Sequence, residues 1–70
     1  MKKLFEISVY NKDVRDEIQA GRNHRLLEPS WANVNLIEIK ADTEEEAMAS
    51  CRRKHPERLG FVLGSALEVA

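Results

Sequence analysis

The sequence predicts an α+β fold: a three-stranded sheet in β-α-β-α-β order with one main helix across a face. Three observations carry this. Residues 3–10 and 34–41 alternate apolar and polar side chains with period two, the signature of half-buried strands. The second of these runs straight into Thr43-Glu44-Glu45-Glu46-Ala47, a helix-capping pattern. A third apolar segment then opens after Gly60.

In the first strand Phe5, Ile7 and Val9 fall on one face, and Leu4, Glu6, Ser8 and Tyr10 on the other. A short helix over 12–20 follows. Asn11 or Asp13 can cap its start, Val14 and Ile18 share its apolar side, and Gly21 suits a left-handed residue at its end. Residues 22–33 show no period and read as a long loop, with a turn at Glu28-Pro29-Ser30. The second strand puts Ile37, Ile39 and Ala41 on one face, and Val34, Leu36, Glu38 and Lys40 on the other.

The main helix spans 43–55. Ala47, Met48 and Cys51 form its apolar stripe, and Pro56 stops it. Glutamates at its start and Arg52, Arg53 and Lys54 at its end complement the helix dipole. In the third strand Phe61, Leu63, Leu67 and Val69 share one register, and Gly64 marks a bulge or a close backbone approach. A helical crossover makes strands two and three parallel. Strand one then fits between them, antiparallel to both, in the order 2-1-3.

Seventy residues fit one small domain, 1–70, in which folding buries only about 60% of the unfolded chain's surface. A single cysteine, Cys51, allows no intrachain disulfide and offers no zinc-finger spacing. Oligomerisation is the remaining way to supplement so small a core. Eleven Lys and Arg against twelve Asp and Glu leave a net charge of −1, which argues against a dedicated nucleic-acid binder. The 43% hydrophobic content is too high for disorder at that charge. No apolar run reaches the ~20 residues of a membrane span. Glu6 breaks any signal-peptide core after Lys2-Lys3. A soluble, cytoplasmic chain is expected.

Four constellations bear on function. The first is a basic pole. Arg22 and Arg25 lie in the loop, and Arg52, Arg53, Lys54 and Arg58 at and beyond the end of the main helix, so both groups are expected at one end of the molecule. Such a pole suits an anionic partner, although helix-end cations also arise simply to complement the dipole. The second is Cys51 with His55 four residues on and His24 in the loop. Ligand spacing is not diagnostic there, and a cysteine on an apolar stripe behaves as a small hydrophobe. The third is Trp31 with Leu26 and Leu27, a hot-spot composition that equally suits a core plug. The fourth is the second face of the sheet. Leu4, Tyr10, Val34, Leu36, Val62 and Ala66 are expected to point away from the main helix, ringed by Glu6, Glu38, Lys40 and Glu68. Either the first helix and loop cover this face or another chain does.

No Gly-rich phosphate loop and no carboxylate pair for acid–base work is evident, so no catalytic, cofactor or metal residue is assigned. The strand–cap–helix run 39–47 recurs in unrelated proteins and identifies no family. The resulting expectation is a non-enzymatic protein-interaction module that self-associates as a homodimer or docks on a larger protein. Trp31, Leu26, Leu27, Leu36, Val34 and Tyr10 are its contact residues. The alternative is a nucleic-acid or ribosome-associated protein that holds its anion with Arg22, Arg25, Arg52, Arg53 and Arg58, with Lys54 beside them.

Overall fold

The computed structural model describes residues 2–69. Strand β1 (Lys3–Asn11) leads directly into helix α1 (Lys12–Gln19). Strand β2 (Asn35–Ala41), helix α2 (Glu44–Lys54) and strand β3 (Phe61–Val69) follow, with short 3-10 turns at Pro29–Ala32 and Glu57–Leu59. The sheet order is β2-β1-β3. β1 is antiparallel to both neighbours, so β2 and β3 run the same way on either side of it. The α+β class, the element order and the strand order are as the sequence predicts.

The register assigns the faces, because directly opposed residues of antiparallel strands point to the same side. Phe5 lies opposite Ile39, and Ile7 lies between Ile37 and Ala66. Val9 lies opposite Leu63, and Asn11 opposite Phe61. Helix α2 closes this face with Ala47 and Cys51, two small side chains that let the helix come close to the sheet. Ile7, Val9, Ala47 and Cys51 have no exposed surface at all. Burying an aliphatic side chain of the size of Ile7 or Val9 contributes roughly 1.5–3 kcal/mol.

Strand β3 departs from simple alternation. Ile7 pairs with Ala66 and Val9 with Leu63, so β3 uses one residue more than β1 over this interval. The result is a bulge at Gly64-Ser65 opposite Ser8, and it inverts the parity of everything after it. Phe61 and Leu63 face α2 as expected. Leu67 and Val69 do not; they turn to the outer face, opposite Glu6 and Leu4. Ala66, expected outside, turns inward and is buried. Glu68, expected to ring the outer face, lies opposite Phe5 on the helix side. Gly64 permits the bulge because a Cβ at this position would collide with the Ser8 hydroxyl.

Asn11 holds the junction between β1 and α1. It is fully buried. Its Oδ1 accepts a hydrogen bond from the Val14 backbone N–H at 3.0 Å, which caps α1. Its Nδ2 donates to the Leu59 carbonyl at 3.0 Å. The Lys12 N–H donates to the Gly60 carbonyl at 2.8 Å, so the start of α1 is tied to the turn before β3. Gly60 has φ 94°, and a Cβ there would fall 2.8 Å from Asn11 Oδ1, so both backbone and space demand glycine.

Helix α1 ends in a Schellman arrangement. Arg22 N–H donates to the Glu17 carbonyl and Gly21 N–H to that of Ile18. Of its two expected anchors Val14 is buried, but Ile18 is 40% exposed. Helix α2 begins at Thr43, whose hydroxyl accepts from the Glu46 N–H at 3.1 Å. The Glu46 carboxylate accepts from the Asp42 N–H, one residue further back than in the usual capping box.

Candidate functional site

The 22–33 segment folds back toward the core rather than standing free. His24 Nδ1 accepts from the backbone N–H groups of Leu26 and Leu27, both at 3.1 Å, which tightens the loop. Leu27 and Trp31 are half-buried against the core cluster. The Trp31 ring meets Phe61 edge-on, with centroids 5.3 Å apart, and lies 5.5 Å from the His55 ring. His55 and Phe61 are themselves 5.2 Å apart. The three rings close one end of the helix-side core.

Arg15 secures this arrangement from α1. Its Nε donates to the Ala32 carbonyl at 2.9 Å, and its guanidinium lies 3.9 Å from the Tyr10 ring centroid. Sequence reasoning missed Arg15, because the carbonyl that it reaches is 17 residues away and no local pattern marks it. Six contact residues were expected, and they divide into two groups. Trp31 and Leu27 turn to the core, and Tyr10 carries Arg15 over its ring. Leu26, Val34 and Leu36 are exposed.

The outer face of the sheet is laid out by the same register. Leu4 lies between Lys40 and Val69, and Glu6 between Glu38 and Leu67. Ser8 lies between Leu36 and the bulge, and Tyr10 is opposite Val62. Leu36 is 62% and Leu67 64% exposed, so α1 and the loop leave this part of the face open, while Arg15 of α1 covers Tyr10 at its end. Glu6 and Glu38 are directly opposed like charges, an unfavourable cross-strand pair in isolation. The surface is therefore a band of aliphatic side chains interrupted by charges of both signs.

The expected basic pole is divided. Arg22 pairs with Glu17 at 2.8 Å, an interaction that lowers the Glu17 pKa and raises that of Arg22. Arg25 lines a hollow with Asp13, Glu17 and His24. Arg52 points to the β3 side of α2, beside Met48 and Phe61. Arg53 points to the β2 side, near Lys2, Lys40 and Glu46. Lys54 ends α2, and Arg58 sits in the exposed turn before β3.

Cys51 Sγ lies 3.7 Å from His55 Nδ1, which is also 3.1 Å from the Cys51 carbonyl oxygen. Burial pushes the Cys51 thiol up, against a smaller opposing pull from Lys54 and Arg52. A protonated, buried thiol is a poor nucleophile. Among the described residues no group of three or more His, Cys, Asp or Glu is placed to hold a metal ion. Nor is any helix among them long and apolar enough to cross a membrane. No family model, no curated protein and no solved structure matches the chain.

Proposed function

We propose that this chain is a small non-enzymatic protein-interaction module that self-associates through the outer face of its sheet. The observation that carries the reading is the exposure of Leu36 and Leu67 on the side that α2 leaves open, with an exposed Val34 just before β2. An uncovered sheet face that carries several exposed aliphatic side chains is a candidate contact surface. A second copy is the occupant best matched to it. The face carries Glu6 and Glu38 together with Lys40, so a two-fold arrangement can bring the Lys40 of each copy to the glutamate pair of the other. Self-association also adds apolar burial to a core of limited size. The lone, buried Cys51 suits a reducing compartment such as the cytoplasm. The nucleic-acid reading has less support, because Arg22 is engaged with Glu17 and the cations of α2 point to opposite sides.

Sedimentation equilibrium from micromolar to near-millimolar concentration tests the proposal. The wild-type chain should move from monomer to dimer mass. Leu36→Glu and Leu67→Glu should remain monomeric with unchanged far-UV circular dichroism. A wild-type chain that stays monomeric at the highest concentration rejects self-association. A dimer that survives both charges places the interface elsewhere.

A further inference from the structure

A second surface lies on the opposite side of the molecule, where α2 overhangs the start of β3. It is a cleft of about 290 Å³, open to solvent. Lys12, Arg52, His55, Glu57 and Met48 line it. The first three residues of β3, Phe61, Val62 and Leu63, complete it.

Two features of this cleft point to a ligand. The first is that it takes in three consecutive residues of one strand. Side chains alternate across a sheet, and Val62 opposes Tyr10 on the outer face while Phe61 and Leu63 face α2. A space bordered by three consecutive residues lies within reach of the strand's backbone as well as of its side chains. β3 is an edge strand, so its outward N–H and C=O groups have no sheet neighbour on that side.

The second feature is charge. Arg52 belongs to the last turn of α2, where a cation complements the helix dipole. Lys12 has no such explanation. It is the first residue of α1, the end at which a cation is disfavoured. Among the described residues neither Lys12 nor Arg52 forms an ion pair. Two cations from different helices therefore converge on one cleft with a single carboxylate, Glu57, to offset them.

We infer that this cleft receives the C-terminal end of a polypeptide, which adds to the β3 edge as a fourth strand. The terminal carboxylate is held by Lys12 and Arg52, and the last side chain, an apolar one, rests on Met48, Phe61 and Leu63. Main-chain pairing supplies general affinity, and the cations with the apolar side chains select a free, apolar-ended terminus. The outer face remains available for self-association, so this inference does not depend on that reading.

The test uses the full chain carrying Leu36→Glu, so that a failure of self-association and a failure here are separable. The probe is a display library of random short peptides with free C-termini. Binders with an apolar last residue should be enriched. Amidating the terminus, or introducing Lys12→Ala or Arg52→Ala, should each weaken a selected peptide about tenfold, whereas Arg53→Ala should not. Backbone amides of β3 should exchange more slowly in the complex, and those of β2 should not. Four results overturn the inference. They are no enrichment over the Lys12→Ala/Arg52→Ala variant, equal binding of acid and amide, unchanged exchange along β3, or binding of free 4-phenylbutyrate as tight as that of the peptide.

Discussion

The two faces of the sheet share one central strand and carry comparable numbers of aliphatic side chains, yet only one is a core. On the helix side Phe5, Ile7 and Val9 are sealed by Ala47 and Cys51 of α2 and by the Trp31–His55–Phe61 cluster. On the outer side Leu36 and Leu67 remain more than half exposed. The outer face mixes Glu6, Glu38 and Lys40 with its aliphatic residues, and it lacks a covering element with small residues at its contact positions. A partly apolar, partly charged face without a cover is where a small domain can meet another chain.

Truncating one residue on each face should give the largest difference in stability. Ile7→Ala should destabilise the chain by about 2–5 kcal/mol, since it opens a cavity where no surface is exposed. Leu36→Ala should change stability by no more than about 0.5 kcal/mol. Urea unfolding at low micromolar concentration, where self-association is weakest, measures both. Similar losses at the two positions would mean that the outer face is covered within the monomer.

Next in size is the junction that positions the rest. Asn11→Ala removes the cap of α1 and leaves the Leu59 carbonyl without its side-chain donor, with an expected loss of about 2–3 kcal/mol. Asn11→Asp retains an acceptor for the Val14 N–H but cannot donate to Leu59. Thermal unfolding should place it between wild type and Asn11→Ala if the cap dominates, and at or below Asn11→Ala if the Leu59 bond does.

This junction also shows what local pattern can reveal. Asn11 is readable as a cap because the partner of its carbonyl oxygen lies three residues away. Its second bond spans 48 residues and leaves no local trace. The same divide runs through the sheet. β1 and β2 pair without interruption, so alternation assigns their faces correctly. In β3 the glycine signalled an irregularity, but one inserted residue reverses Ala66, Leu67, Glu68 and Val69, and period-two reasoning carries straight through such a point. Among the candidate contact residues, the outward setting of Leu36 was legible from strand position. Trp31 was readable as a core plug, but its partners Phe61 and His55 were not, because tertiary packing sets them. The local engagements of the basic residues were hidden for a similar reason. Arg22 finds Glu17 across the end of its own helix, before any longer-range field matters.

The bulge supplies a smaller test of how the two faces are kept distinct. Gly64→Ala should cost about 1–2 kcal/mol by forcing the Ser8 hydroxyl aside. Ser8→Ala in the same chain should restore most of that loss, since its Cβ lies at an ordinary contact distance of 3.5 Å. A double-mutant cycle measured by denaturant unfolding reads the coupling directly. If Ser8→Ala gives no recovery, the backbone rather than the hydroxyl is what excludes a Cβ.

The smallest effect belongs to Cys51, at the centre of the covered face. Burial raises its pKa in the folded chain. In the unfolded chain the thiol ionises at its ordinary value of about 8.5. Below that value both states hold the proton, and the thiol contributes its full packing. Above it the unfolded state releases the proton first, so stability falls as pH rises until the folded thiol also ionises. Cys51→Ala removes this titration. Its unfolding free energy should start slightly lower at neutral pH, for lack of the sulfur, and then decline less steeply than wild type on the alkaline side. Parallel alkaline slopes would mean that the folded thiol ionises as readily as a solvated one, and that α2 seals its face of the sheet less completely than the buried Cys51 implies.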